Sequence, residues 1–217
     1  MKSTWIMKRA APLLKAGRYA AIALSVLVAC ISFRYLATLG LAPENVLANR
    51  FFYPWIVVHA GAAGTALLLG GMQFSGGVRK RWPHLHRLNG RIYVIGCLLG
   101  GASALVLSAG VSTGPWAVSG FGLLGTIWIY VTLRGLSKAR SRNFSAHRIW
   151  MIRSYALTCA AVTLRIYLPL SQIIGVDFNS AYPAIAWLAW VPNLVVAEFY
   201  IRRGRRSATT VGGLPMC

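Results

Sequence analysis

Two histidines that open apolar stretches are the residues of this chain best suited to chemistry. His86 is followed by Arg87 and then by Arg91-x-Tyr93, and His147 by Arg148 and then by Arg153-x-Tyr155. The two runs form a loose internal echo, offset by one residue. A histidine in the first turn of a helix tends to stay neutral, because the positive end of the helix dipole disfavours its protonation. Neutral imidazole is the form that ligates a metal or a haem iron. If the two helices are neighbours, the rings would face each other across one plane. Gly90, one turn after His86, would leave room for a flat ring, so the pair would suit haem b. The plainer account is that His and Arg decorate two interfacial helix starts.

Charged groups inside apolar stretches are costly without partners and mark function by default. Glu198 lies four residues before Arg202, so roughly 6 Å inside that end of its helix, and Arg153 lies six residues past His147, roughly 9 Å inside. Glu198 is the one acid within an apolar span, so an ion pair with Arg153 is the natural neutralisation. That pair reads either as a helix clip or as a proton-handling group beside the histidines. Toward the other end lie His59, Arg165 and Arg34, with no acid near them except the loop residues Glu44 and Asp177. Polar and cationic groups without a carboxylate suit an anionic guest such as a carboxylate, a phosphate or a haem propionate. Alternatively the arginines reach out to the surface along their apolar stems, the preferred account for Arg34. His84 sits in the basic stretch before His86 and is the weaker candidate.

Other chemistries are excluded. There is no GxSxG, P-loop, GxGxxG after a strand, or HExxH. Three acids in the whole chain rule out a paired-carboxylate mechanism. No CxxC pair is present among the four cysteines, so neither structural disulfides nor a thiolate zinc site is expected. No catalytic residue is assigned, and the reading leans away from an enzyme.

These residues need a membrane scaffold. The 217 residues are 57% hydrophobic and 12% charged, with a mean hydropathy of +0.58, a balance that fits a polytopic membrane protein. The formal charge of +20 would suggest nucleic acid in a soluble domain. Here no nucleic-acid motif or aromatic interleaving accompanies it. All Lys and Arg except Arg34, Arg50, Arg153 and Arg165 fall in four clusters, around residues 2–18, 79–91, 134–148 and 202–206. Two apolar stretches separate each cluster from the next. Membranes retain Lys and Arg near span ends on the cytoplasmic side, and an even number of spans between clusters puts all four there. The expected fold is all-α: an integral membrane bundle of six transmembrane helices with both termini cytoplasmic.

A span needs about 20 apolar residues. The spans are expected near 19–39, 52–74, 83–109, 116–133, 147–168 and 182–201, each continuous. Residues 1–18 form a basic cytoplasmic N-terminus, 19–201 the transmembrane domain, and 202–217 a basic, disordered cytoplasmic tail. Leu27-Val28-Ala29-Cys30 looks like a lipoprotein signal, but Ala-rich spans produce such tetrapeptides by chance. Small residues at helix-packing spacing, such as Gly61 to Gly64 and Gly96/Gly100, let backbones approach closely. The expected partners are the bilayer, anionic headgroups at the cytoplasmic face, and a homo- or hetero-oligomer.

His59, Gly70-Gly71-Met72-Gln73-Phe74, the run His86 to Tyr93, the run His147 to Tyr155, Arg165, and Trp190-Val191-Pro192-Asn193-Leu194 through Glu198 together resemble the bacterial predicted membrane proteins of domain of unknown function 2306 (DUF2306). The resemblance covers about residues 20 to 201. It implies a multi-pass protein of the bacterial inner membrane and no activity. A more distant likeness is to cytochrome b561-type proteins, which start spans with His followed by Gly on the cytoplasmic side and place paired histidines at both faces. This chain offers only His59 at the outer depth, so that likeness implies at most one haem, on the cytoplasmic side.

The leading expectation is therefore a haem-associated or redox membrane protein. His86 and His147 would be axial ligands, Arg153 and Glu198 supporting groups at the cofactor, and Arg165 a binder of an anionic group. The alternative is a permease-like small-anion binder using His59 and Arg165. A third is a non-catalytic scaffold subunit. An inverted repeat with broken helices would favour the permease-like reading, whereas the loose repeat here is parallel.

Overall fold

The computed structural model describes residues 2–37 and 44–211, and side chains within 20–37 and 46–205. Expectations placed on the side chains of residues 1–18 and of Glu44 and on residues 212–217 lie outside that set. The described residues fold into helices: α1 (Lys2–Ala37), α2 (Glu44–Leu47), α3 (Phe52–Gly70), α4 (Gly76–Arg81), α5 (Pro83–Ala109), α6 (Pro115–Arg140), α7 (Phe144–Thr158), α8 (Ala160–Ile173), α9 (Phe178–Leu188) and α10 (Val191–Val211). A 3-10 turn, Gly71–Phe74, extends α3. Six stretches are long and apolar enough to cross a membrane: Ala20–Ala37, Phe52–Phe74, Pro83–Ala109, Pro115–Arg140, Phe144–Ile173 and Phe178–Arg205. Both expected framework features, all-helical structure and six spans, are present.

Local sequence sets the ends. Pro83 and Pro115 start α5 and α6, where a missing N–H costs nothing. Asn143 caps α7 by accepting from Ala146 N at 3.1 Å. Asp177 caps α9, accepting from Asn179 N and Ser180 N at 2.9 and 3.3 Å. Short connections make successive spans antiparallel. Asn49, in the first connection, donates from Nδ2 to Leu107 O at 2.8 Å, so that connection lies at the same end as the turn after α5. The four basic clusters therefore share one end of the bundle, termed here the basic face.

The spans differ from expectation in three places. First, α1 is one helix from Lys2, so the basic N-terminal segment continues the first span without a break. Second, α10 runs to Val211, so the tail is helical up to that residue. Third, two spans are interrupted. The fifth breaks at Cys159, where Val162 N bonds Cys159 O three residues back. The sixth breaks at Ala189 and Trp190, where Trp190 N reaches back to Trp187 O. Pro192 accounts for the second break, since it has no N–H to offer Leu188 O. No proline or glycine marks the first.

Packing follows the small residues. α3 lies closest against α5, α5 against α6, and α6 against α7, while α1 contacts α3 and α8 and so closes the ring. A Cβ on Gly96 would stand 2.8 Å from Ala62 O, and one on Gly70 would stand 2.6 Å from the Tyr155 ring. Between α5, α6 and α7 lies a buried hydroxyl cluster. Tyr93 Oη pairs with Ser154 Oγ at 2.9 Å and Thr158 Oγ1 at 3.0 Å, and Thr132 Oγ1 pairs with Ser154 Oγ at 2.7 Å. Trp128 Nε1 donates to Thr158 Oγ1 at 3.0 Å. With no water in hydrocarbon to receive them, these groups bond each other.

Gly96→Ala is expected to cost about 1–3 kcal/mol, because backbone must move to admit the methyl. Gly122→Ala, whose Cβ would meet only Ser108 Oγ at 3.6 Å, is expected to be near neutral. Thermal unfolding of the two detergent-solubilised variants beside the parent checks the contrast.

Candidate functional site

Near the basic face, the sequence candidates converge. His147, in the first turns of α7, donates from Nδ1 to Gly135 O of α6 at 2.8 Å. A carbonyl only accepts, so Nδ1 carries a proton, and in the neutral ring Nε2 keeps its lone pair. His86, in the first turn of α5, lies within Coulombic range of His147. Its partner is Gln73, carried by the 3-10 turn at the end of the second span. With the amide set to match its neighbours, Gln73 donates from Nε2 to His86 Nδ1 at 2.9 Å and accepts from Gly90 N at 3.2 Å. His86 Nδ1 is then the acceptor, and its Nε2 carries the proton. As bonded, the pair offers one ligating nitrogen, on His147, and one N–H, on His86. A two-histidine haem b site does not fit this arrangement unless Gln73 turns over, so no chemistry is derived through haem.

Arg153 and Glu198 meet as expected. Nε donates to Oε1, and Nη2 donates to Oε2 at 3.1 Å. Arg153 also lies over Trp150 at 4.7 Å from the ring centroid, Arg134 lies over the same ring at 5.5 Å, and Tyr130 meets it edge-on at 5.9 Å. The pair thus ties α7 to α10 within an aromatic–guanidinium stack.

The opposite end holds a cavity of about 960 Å³ with walls from all six spans. His59, two turns into α3, donates from Nδ1 to Gly100 O of α5 at 2.9 Å, so Nε2 remains an acceptor. Arg165 on α8 donates from Nη2 to Ser32 Oγ of α1 at 2.9 Å and from Nη1 to Ala161 O at 3.1 Å. His59 and Arg165 line the cavity within Coulombic range of each other. Arg34 lines it too, instead of reaching out to the surface as expected. Its guanidinium lies 5.0 Å from the Tyr35 ring centroid and donates to Tyr35 Oη at 3.2 Å, which holds it inside. No carboxylate belongs to the described lining, because Asp177 is turned to its own helix and Glu198 is engaged at the other end. Thr113 Oγ1, also in the lining, is buried without a hydrogen-bond partner. A guest offering oxygen acceptors would satisfy it.

Both helix interruptions touch this cavity, through Thr158 beside Cys159 and through Ala189. Backbone irregularity at membrane depth is tolerated where it is buried in protein or lines a cavity. Sequence reasoning found His59 and Arg165 and missed Gln73, Thr113 and the breaks. Pro192 was the available signal for one break.

The family model for predicted membrane protein (DUF2306) matches residues 56–201. The chain belongs to this family. The DUF2306 match takes in His59, both histidine-opened helices, Arg165 and Glu198, and starts inside the second span rather than near residue 20. No curated protein and no solved structure matches the chain. Among the described residues of this DUF2306 protein, no group of three or more His, Cys, Asp or Glu side chains is placed to hold a metal.

The Arg153 and Glu198 side chains are 21% and 32% exposed, so solvent screens part of their attraction. Arg153→Ala and Glu198→Ala are each expected to destabilise the fold, and the double variant by little more than either. The coupling should lie in the lower part of the range of about 0.5–3 kcal/mol for contacting pairs. A double-mutant cycle on detergent unfolding curves measures it.

Proposed function

We propose that this protein binds a small organic anion, as a permease-like carrier does, from the end of the bundle opposite the basic clusters. The observation that carries this reading is a large cavity whose described walls hold Arg165 and His59 and no carboxylate. A guanidinium withdrawn from water favours an anion strongly, because screening by solvent is lost there. The two interrupted spans at the cavity add support, since transporters form their sites from discontinuous helices near mid-membrane. The hydroxyl of Thr113 supplies a further donor to oxygen.

The redox reading, with His86 and His147 as axial ligands and Arg153 and Glu198 beside them, stands second. Their convergence favours it, and the hydrogen-bond pattern at His86 weighs against it. A Soret band in the purified protein that is lost in His147→Ala would bring it forward.

Orientation follows from the positive-inside rule. The basic face is cytoplasmic, both termini are cytoplasmic, and the cavity opens to the outer side of a bacterial inner membrane. A phosphatase fused at Lys138 is expected to be inactive and one fused at Ser112 active; the reverse pattern would overturn the orientation. Ligand binding is checked by thermal stabilisation across a panel of organic carboxylates and phosphates. Arg165→Ala is expected to weaken the responding anion roughly 10- to 100-fold, the loss typical of a hydrogen bond to a charged group. Absence of any Arg165-dependent shift across the panel would defeat the proposal.

A further inference from the structure

We propose that the ligand is an amphiphile, with an oxyanion head at Arg165 and His59 and a single hydrocarbon body in the cavity below them. This rests on the anion-binding reading and narrows it to a chemical class.

Polar side chains thin out with depth in the cavity. His59 lies seven residues from the start of α3 and Arg165 eight from the end of α8, so both stand roughly 10–12 Å below that end of the bundle. Above them the lining mixes Asn49, Ser112, Thr113 and Gln172 with apolar Val46, Ile56, Leu107 and Leu168. Below them the cavity continues to Trp128, thirteen residues into α6 and so roughly 20 Å deep. This lower part is walled by Ala63, Leu124, Trp128, Leu157, Ala160 and Leu164.

The polar group of the lower part is Thr158. Its hydroxyl donates to Ser154 O at 2.9 Å and accepts from Trp128 Nε1, and Tyr93 Oη lies 3.0 Å away. Its bonding capacity is used within the protein, so the lower chamber offers a guest only apolar surface. An inorganic anion held at Arg165 would leave that chamber without occupant, whereas a hydrocarbon body fills it. Apolar cavities stay dry and take apolar guests. The cationic level then sets the orientation, head toward the mouth and body toward mid-membrane.

The test uses the full chain in lipid nanodiscs, with empty nanodiscs correcting for ligand dissolved in the bilayer. Straight-chain carboxylates from acetate to decanoate, the matching alkyl phosphates, and decanol are titrated calorimetrically. Affinity for the anions is expected to rise roughly fourfold per methylene until the chamber is filled, and to fall in Arg165→Ala at every length. Leu164→Phe and, independently, Leu124→Phe, which narrow the chamber, should weaken decanoate and spare acetate. Carboxylate and phosphate arms identify the head group, and a length-dependent rise in either supports the proposal. Equal affinity for acetate and decanoate, lost in Arg165→Ala, would overturn the amphiphile and leave the anion reading standing. Decanol bound as tightly as decanoate and unaffected by Arg165→Ala would overturn both, as would no binding by any member.

Discussion

Hydrocarbon supplies no hydrogen bonds, and that constraint governs where this chain spends its polar groups. Most of the described polar side chains at depth have a protein partner or face the cavity, with the buried Trp190 Nε1 an exception. Tyr93, Ser154, Thr158 and Thr132 satisfy one another in the centre. Arg153 meets the one acid placed within a span. His59 and His147 each give their Nδ1 proton to a carbonyl on a neighbouring helix. Those carbonyls belong to Gly100 and Gly135, so the bonds that fix the imidazoles also join helices where backbones come close.

Helix contact and site formation are therefore one problem in this protein. Van der Waals packing drives association in lipid, where the hydrophobic effect contributes little between helices. Small residues on α3 and α5 allow the backbones to meet at Gly96 and Ala62. Such contact near the middle of the spans leaves the bundle free to open toward the end where α1, α8 and α9 meet it. The cavity occupies that opening. Its depth reflects bulky residues giving way to Ala63, Ala160 and Ala161 along the walls.

Much of the framework was legible because its signals are one-dimensional. Clusters of Lys and Arg alternating with pairs of apolar runs define six spans without any tertiary knowledge. Arg153 and Glu198 were legible as partners because the chain offers no other acid at that depth. The cavity was not, since it is a property of six walls at once, and its members are ordinary Leu, Ala and Thr residues. Arg34 misled because a guanidinium near a helix end usually leaves the membrane, whereas here it lies against the ring of the adjacent Tyr35 and lines the cavity. The state of His86 depends on Gln73, which comes from another span, so residue type alone could not tell a ligand from a hydrogen-bond donor. The interruption at Cys159 carries no helix-breaking residue and could not be read.

The two interruptions lie on consecutive spans, and both border the same void. Outward of them, α8 and α9 pack against each other and are linked by the short turn 174–177. Inward of them, α7 and α10 are riveted by the Arg153–Glu198 pair. The bundle thus contains a helical hairpin interrupted on both stems and set on a base that is clamped. Different bonds therefore fix the two levels of the bundle: Arg153 with Glu198 at the basic end, and α9 against α6 with Arg165 against Ser32 at the chamber end.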